Sequence, residues 1–438
     1  MNRRTVLAAA AAGAALLLSA CTGTGGSAKG ADAEAPDDPA KVSGTITVLT
    51  QRTDLVQDGT MKAYSAEFNK IYPKVKVEFQ ALTNYEAEVK IRMNTENYGD
   101  VLMIPAVIKK ADYPKFFASL GTEAERGEKY RFTDYTAVDG KVYGQSTNGV
   151  MPGFVYNKRV WAEAGVTEWP TSPEEFVAAL KAIKDRTDAV PYYTNFAAGW
   201  TLSGWTSVLG SVHCDEQATT ALAEGDPWGE DGELRVGDTL LHDIVEQGLA
   251  EKDPSTTNWE ESKPRLAKGE IATQWLGTWA IVQFQDAAKK AGVNPDDIGF
   301  MPFPAQTDGT FCAAVTPDYN QAVNIHSKHK DAARAWIDWF TDESGYVEDN
   351  LAVSPLKDAP LPEVLAPYEE AGVKLIELDD SAGAKVKEID SLSEVGIYAP
   401  DYRQDLVDLA RGARKGSLED FLGGLSEKWS AAQKNAGS

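Results

Sequence analysis

The chain has 438 residues, which exceeds one ordinary hydrophobic core and predicts two or three domains. Its hydrophobic content of 43% and charged content of 25% are typical of a globular protein. The formal net charge of -23 repels phosphate backbones and anionic lipid heads, so it argues against nucleic acid as a partner.

The first twenty residues have the features of an export signal. Arg3 and Arg4 precede an apolar run over residues 6–18, and Ser19-Ala-Cys21 follows. The run is too short to span a bilayer but suits a signal peptide. This order resembles a bacterial lipoprotein leader, whose cysteine is lipidated and becomes the new N-terminus. The resemblance implies that residues 1–20 are removed and that Cys21 anchors the protein to the outer face of the cytoplasmic membrane. The export route, Sec or twin-arginine, stays open.

Residues 22–41 are rich in Gly, Ala, Asp and Pro without periodicity, which predicts a flexible tether from Cys21 to the folded part. Cys214 and Cys312 are the other cysteines. An even pair in an exported protein favours one disulfide, with two free thiols as the alternative.

The mature chain begins with alternating strands and helices. Apolar periodicity predicts strands at 45–49, 75–79 and 101–104, with helices at 61–71 and 85–93 between them. This order indicates an α/β lobe. Strands at 141–144 and 153–157 flank an irregular stretch, and Ser172-Pro-Glu-Glu175 predicts a capping box with proline at the first helical position.

Residues 191–205 form a polar and aromatic loop, and long loops of this kind are more often functional than structural. Strands follow at 298–304 and 321–325. The helix after Asp331 places Trp336 and Trp339 on its apolar stripe, so we expect both in the core. Helices at 402–413 and 418–429 end the chain.

Residues 269–279 form a predicted strand that ends in a Gly-Thr turn. Ile271, Thr273 and Trp275 alternate along it, and Gly277-Thr278 starts the next helix beside Trp279. An indole at such a turn has a flat face that is hard to bury and an N–H that requires a partner. Trp279 is therefore either a core residue or part of a binding surface.

Four stretches together resemble the extracellular solute-binding proteins of ABC importers, family 1, which include maltodextrin-binding proteins. They are Val142-Tyr-Gly144 to Tyr156-Asn-Lys158, Leu266-Ala-Lys-Gly-Glu-Ile-Ala272 to Leu276-Gly-Thr-Trp279, Phe300-Met-Pro-Phe-Pro304, and residues 326–333 with 339–343. The resemblance covers nearly the whole mature chain. It implies an α/β, two-lobe periplasmic-binding-protein fold (type II-like), with several crossing segments and a ligand cleft between the lobes. Lobe I would hold 42–150 and 300–340, and lobe II 151–299 and 341–438.

The resemblance also implies carbohydrate-binding positions. Trp279 matches the position where an indole stacks on a sugar, Trp200 lies in a loop that supplies a second aromatic, and Tyr402 precedes a C-terminal helix as another aromatic does in relatives. Trp205, beside Trp200, is a weaker candidate with a loop-stabilising role as its alternative.

Polar candidates come from the residues themselves. Gln51, Arg52 and Asp54 follow the first strand, at the edge where open α/β sheets hold ligands. Arg52 and Asp54 are equally explained as a solvated pair. The crossing segments contribute a second set, for which ordinary turn chemistry is an equal explanation; it comprises Asn148, Met151, Asp318 and Tyr319.

These features predict a monomeric binding protein that captures a carbohydrate and delivers it to ABC permease subunits. We expect it to bind no nucleic acid. We expect no cofactor, no metal and no catalytic residue, since familiar hydrolase, zinc and phosphate-loop motifs are missing from the sequence. The alternatives are a surface-anchored polysaccharide hydrolase, a binding protein for a non-sugar solute, and a structural lipoprotein.

Overall fold

The computed structural model describes residues 32–82, 85–105 and 107–436. The predicted signal peptide and Cys21 lie outside these residues. Within the described ranges, no helix combines the length and the apolar character needed to cross a membrane.

Strands and helices alternate along much of the chain. In chain order the strands are β1 (Gly44–Thr50), β2 (Val75–Ala81), β3 (Val101–Met103), β4 (Phe117–Ala118), β5 (Ala137–Val138), β6 (Lys141–Val142), β7 (Gln145–Ser146), β8 (Gly149–Val150), β9 (Pro152–Asn157), β10 (Thr273–Gly277), β11 (Ile298–Met301), β12 (Gln306–Thr307), β13 (Thr310–Pro317), β14 (Asn320–Asn324) and β15 (Lys374–Glu377).

The α-helices are, in the same order, α1 (Thr53–Gln57), α2 (Thr60–Ile71), α3 (Tyr85–Arg92), α4 (Tyr113–Phe116), α5 (Glu123–Lys129), α6 (Lys158–Glu163), α7 (Pro173–Arg186), α8 (Trp200–Ser203), α9 (Ala218–Glu224), α10 (Glu233–Glu246), α11 (Trp259–Lys268), α12 (Ala280–Ala291), α13 (Lys330–Asp342), α14 (Tyr346–Asp349), α15 (Ala366–Glu370), α16 (Gly383–Ser393), α17 (Asp401–Ala410) and α18 (Leu418–Gln433).

The start of α7 shows how side chains fix a helix boundary. The Ser172 hydroxyl accepts a hydrogen bond from the Glu175 N–H at 3.2 Å, and Pro173 is the first helical residue, as predicted. The reciprocal half of the predicted capping box is different, because the Glu175 carboxylate accepts from the Thr171 N–H at 2.8 Å instead. The N–H groups of Glu175 and Phe176 at this helix start are thereby satisfied, both by Ser172.

The first lobe is built on a sheet with strand order β2-β1-β3-β14-β4, in which β7 also pairs with β14. β1 is parallel to β2 and β3, whereas β14 runs antiparallel to β3. Side chains bury both faces of the sheet, Val48 and Trp336 on one and Leu49 and Leu102 on the other. Trp339 belongs to the first of these clusters, so both tryptophans of α13 are core residues as predicted.

The second lobe is built on an antiparallel sheet in which β9 lies between β10 and β11. On one face, Phe154 packs against Phe176 of α7 and Trp275 of β10. Helices α10, α17 and α18 extend this cluster. On the other face, Val155 packs with Phe284 of α12. The sheet is therefore covered on both sides.

A third sheet lies where the chain crosses between the lobes. β13 pairs antiparallel with β8 and β12 and parallel with β15. The packing differs from the predicted division in several segments, and Phe132 of predicted lobe I packs in the core of the second lobe. Phe300 and Val315 belong to the core of the second lobe, since β11 pairs with β9, and Tyr346 packs in the core of the first lobe.

Cys214 and Cys312 form a disulfide, with their Cα atoms 5.4 Å apart. Cys312 lies in β13 and is fully buried, and Cys214 precedes α9. The bond therefore ties the sheet at the chain crossings to the helical part of the second lobe.

The predicted flexible tether is wrong for its last ten residues. From Asp32 the chain packs on the first lobe: the Ala33 N–H donates to the Ser119 carbonyl at 2.8 Å, and Ala33 is buried. Pro39–Lys41 forms a 3-10 helix capped by Asp38. Composition could not reveal this docking because the contacts that cause it come from residues far along the chain.

Candidate ligand-binding cleft

The topology brings one edge of each sheet towards the other lobe. The chain leaves the first sheet from β7 and returns to it at β14, and β7 pairs with the beginning of β14 at Ser146 and Asn320. In the second lobe, Gly277 at the end of β10 lies opposite Pro152, the first residue of β9 after the crossing. The carboxyl ends of β1 and β3 and the turn after β10 therefore lie near the crossings, each on its own lobe.

Unpartnered polar atoms lie at this edge of the first lobe. The side-chain oxygens of Gln51, Asn320 and Gln321 are buried and have no hydrogen-bond partner within the protein. Gln51 follows β1, and the other two begin β14 next to the end of β3. Buried polar groups are normally paired, so these acceptors are suited to donors from a bound molecule.

Arg52 and Asp54 form an ion pair with each other, in agreement with the alternative explanation that they are a solvated pair. The Arg52 guanidinium lies 2.7 Å from the Asp54 carboxylate and also donates to Tyr346 and Asn350, at 3.1 and 2.9 Å. The hydrogen bond from Arg52 lowers the pKa of Asp54. The pair thus fixes the loop after β1 against α14, and a direct role in ligand contact stays a prediction.

The crossing segments place Asn148 beside Asp318. The Asp318 N–H donates to the Asn148 carbonyl at 2.9 Å, and Asn148 itself is buried. Asp318 is solvent-exposed, yet burial raises its pKa, an effect that the hydrogen bond with Asn148 opposes. Asp318 lies between β13 and β14, so this exposed residue stands at the crossing between the lobes. Tyr319 is partly buried, and its carbonyl accepts from the Thr147 N–H at 2.9 Å.

Met151 does not reach solvent at the crossing, contrary to the prediction that it contacts ligand, because its side chain is fully buried in the second lobe's core. Its backbone has a different task. The Thr278 N–H donates to the Met151 carbonyl at 2.9 Å, and the Met151 N–H donates to the Thr278 hydroxyl at 3.2 Å. Met151 thereby fixes the turn that carries Trp279.

Trp279 follows that turn and is partly exposed. Its indole lies so close to Gly277 that a Cβ at this position would be 2.7 Å from the indole nitrogen. Any side chain at Gly277 would displace the ring, so the glycine is needed for close approach.

Trp200 and Trp259 complete an aromatic cluster around Trp279. Their ring centroids lie 5.8 and 5.9 Å from that of Trp279, and 5.0 Å from each other. Trp200 is 41% exposed and Trp259 is partly exposed. The sequence interpretation missed Trp259, because nothing local marks the first residue of α11 as a neighbour of a turn twenty residues later. The three indoles form what we call the tryptophan platform.

Trp205 and Tyr402 are core residues. The prediction that they contact ligand is therefore wrong. Trp205 is 1% exposed and stacks on Trp275 at 5.4 Å. Tyr402 is buried, and its hydroxyl donates to Asp238 at 3.2 Å. Asp238 is also the partner of the buried Arg403 guanidinium at 2.8 Å. Residues 202–206 contact the same guanidinium, so this group supports the loop that carries Trp200.

Tyr398 is an exposed aromatic residue that the sequence interpretation did not select. Its side chain is 54% exposed, yet burial raises its pKa to about 12, the combination already seen at Asp318. Nearby, Lys110 of the first lobe lies 3.8 Å from Asp380 of the second. The pair of Lys110 and Asp380 is a contact between the lobes. Tyr398, four residues before Tyr402, has the exposure that was expected of Tyr402.

Comparisons with known proteins agree with this architecture. Residues 53–347 match the family described as bacterial extracellular solute-binding protein. BlMnBP1, a binding protein of an ABC transporter from Bifidobacterium animalis subsp. lactis solved in complex with mannobiose, is 33% identical, with a TM-score of 0.79 over 91% of this chain and 96% of that chain. BlMnBP2 from the same organism, a manno-oligosaccharide specific solute binding protein solved with mannotriose, is 32% identical, with the same TM-score and coverage. The diacetylchitobiose binding protein DasA of Streptomyces coelicolor is 26% identical over 77% of each chain. The chain therefore belongs to the bacterial extracellular solute-binding protein family.

Proposed function

We propose that this protein captures an oligosaccharide between its lobes and delivers it to the membrane subunits of an ABC importer. The observation that carries the proposal is the partly exposed tryptophan platform at the edge of the second lobe, opposite an edge of the first lobe with unpartnered polar acceptors. A pyranose has an apolar face of C–H groups surrounded by hydroxyls. It therefore needs a flat apolar surface with polar groups around it.

The polar groups that would surround the sugar come from the edge of the first lobe and from the crossing. Gln51 and Asn320 have acceptors that hydroxyls can satisfy, and Asp318 offers a carboxylate on an exposed residue between β13 and β14. Charged acceptors form the stronger hydrogen bonds, so Asp318 is the group that we expect to orient the sugar. The named ligands of BlMnBP1 and BlMnBP2 make mannobiose and mannotriose the first candidates.

The direct test is a calorimetric titration with mannobiose, mannotriose, diacetylchitobiose and a monosaccharide. We expect saturable binding of at least one oligosaccharide, recovered unchanged after incubation, since a binding protein does not hydrolyse its ligand. Asp318→Asn should weaken that binding and Asp358→Asn, a change at another exposed aspartate, should not. Hydrolysis products, or binding of none of these sugars, would contradict the proposal.

We also propose that Cys21 carries a lipid that holds the protein at the outer face of the cytoplasmic membrane, as a monomer. The lipoprotein-like leader supports this proposal, and the family is extracellular. Cys21→Ser should move the protein from the membrane to the soluble fraction with unchanged sugar binding. Membrane association that survives the substitution would refute the anchor.

A further inference from the structure

Residues 32–42 form a segment that we call the N-terminal strap, and its first part is fixed to the first lobe. The Ala33 N–H donates to the Ser119 carbonyl at 2.8 Å, next to the edge strand β4. The Ala33 carbonyl accepts from Arg334 of α13, also at 2.8 Å. The Ala33 side chain is 1% exposed and belongs to the core of the first lobe. This residue is therefore bound through its N–H, its carbonyl and its methyl group.

Further contacts hold the strap on both sides of Ala33. Asp32 lies 2.9 Å from the Lys141 ammonium. Lys74 donates to the Ala40 carbonyl at 2.8 Å, and Val42 is buried just before β1 begins. The strap is thus attached along its length, although its exposed residues have the composition of a linker.

Arg334 makes release of the strap unfavourable. Its guanidinium is buried, and its Nε lies 2.7 Å from Asp338. Its Nη1 donates to Ala33 and, at 2.6 Å, to the Leu120 carbonyl. If the strap left, a buried donor would lose a partner, which costs more than the hydrogen bond contributes when it is formed.

We propose that the strap limits how far the first lobe can move from the membrane, an inference that rests on the lipid anchor proposed for Cys21. From Cys21 to Asp32 there are eleven residue steps (32 minus 21), which span at most about 36–40 Å when fully extended. Without the strap the first fixed residue would be Gly44, after twenty-three steps (44 minus 21) and at most about 76–83 Å. Docking of the strap therefore halves the reach.

The consequence is a limit on position. The side of the first lobe that carries Ser119 and Lys141 stays within reach of the short connection to Cys21, and therefore near the lipid surface. A permease in the same membrane would then meet a first lobe that is held near the bilayer. The strap acts on encounter with the membrane partner and leaves sugar binding itself unchanged.

The test compares two substitutions in the strap. Ala33→Lys places a cation in the core beside Arg334, so it should release the strap, whereas Ala35→Lys adds the same charge at an exposed position and serves as the control. Each full-length lipidated protein carries Glu128→Cys on α5, labelled with a fluorescent donor, and is reconstituted into vesicles that contain an acceptor lipid. Hydrogen exchange over residues 32–35 reports release of the strap.

We expect energy transfer to fall in the Ala33→Lys protein, because release of the first part of the strap lengthens the connection from Cys21 to the next fixed residue, Ala40, and lets the first lobe move farther from the bilayer. Transfer in the Ala35→Lys protein should equal that of the unsubstituted protein, and all three should float with the vesicles and bind the same sugar equally. Equal transfer in all three proteins would overturn the proposal. Failure of the unsubstituted protein to float would overturn it through the anchor, while failure to bind any sugar would affect only the proposed function.

Discussion

Trp200 and Trp205 lie five residues apart and have opposite environments. Trp200 is 41% exposed and contacts Trp259 and Trp279, whereas Trp205 is 1% exposed and stacks on Trp275. The short helix α8 between them turns the chain inwards, and Arg403 donates to Thr206 at 2.8 Å to fix that turn. Residue type alone therefore cannot separate an exposed tryptophan from a core tryptophan.

Trp279→Ala should weaken binding of the sugar identified by titration by about 2 kcal/mol or more, roughly 30-fold in Kd, because it removes the centre of the platform. The free energy of unfolding without ligand should fall less. Trp205→Ala is the matched control and should cost about 3–5 kcal/mol of stability, as large buried aromatic deletions do. Paired urea denaturation and calorimetry measure both effects. A strongly destabilised Trp279→Ala protein with normal affinity would assign Trp279 to the core.

Asp238→Ala should lower the free energy of unfolding by about 3–5 kcal/mol, because it leaves the buried Arg403 guanidinium without its counter-charge. Trp228 and Tyr402 would lose their acceptor as well. Glu163→Ala removes the exposed partner of Arg159 on α6 and should cost at most about 0.5 kcal/mol. Urea denaturation of the two variants measures both losses of stability. Equal losses in Asp238→Ala and Glu163→Ala would show that breaking the buried pair costs no more than breaking an exposed one.

The turn after β10 illustrates how one element prepares the site. Gly277 gives the indole of Trp279 room, Thr278 exchanges hydrogen bonds with Met151, and α12 begins directly afterwards. Strand, turn and helix thus fix the ring before any ligand is bound. Pre-organisation of this kind reduces the ordering cost of binding.

Gly277→Ala tests that arrangement with a single methyl group. The new Cβ would lie 2.7 Å from the indole nitrogen, so Trp279 must move. We expect a loss of sugar affinity that approaches the loss in Trp279→Ala, with a shift in tryptophan fluorescence. Gly292→Ala, at the end of α12 where a Cβ meets no atom within 4 Å, measures the effect of glycine replacement at a left-handed position away from the turn. Unchanged affinity and fluorescence in Gly277→Ala would mean that the platform tolerates displacement.

Elements were predictable where the signal is local. The alternation at 45–49 and the helix stripe of Trp336 and Trp339 depend on neighbours in sequence, and the structure has β1 and α13 there. The tryptophan platform was only partly predictable. Trp259 joins it through contacts with α8 and with the turn after β10, and the strap docks through Arg334, three hundred residues away. Contacts between residues that are far apart in the chain produce no periodic pattern in the sequence.

At the scale of the whole molecule, the two lobes are connected by the crossings and by polar contacts such as the pair of Lys110 and Asp380. Lys110 and Asp380 lie 3.8 Å apart across the lobes, and each side chain is about one-third exposed. An exposed ion pair of this kind contributes about 0–1 kcal/mol. A contribution of this size does not hold the lobes in one arrangement, whereas a ligand held by both lobes favours the closed arrangement through its differential affinity.

Saturation with the identified sugar should therefore reduce the radius of gyration measured by small-angle X-ray scattering. The tryptophan platform belongs to one lobe and Gln51, Asn320 and Asp318 lie at the edge of the other, so a ligand gains its full set of contacts only when the lobes approach. The Trp279→Ala protein should show the same compaction only at a correspondingly higher sugar concentration, because a protein with weaker affinity needs more sugar to reach the same bound fraction. Lys110→Ala should change the apparent Kd by less than about fivefold, since the pair is worth at most about 1 kcal/mol. Identical scattering of the unsubstituted protein with and without saturating sugar would mean that ligand binds to one lobe alone.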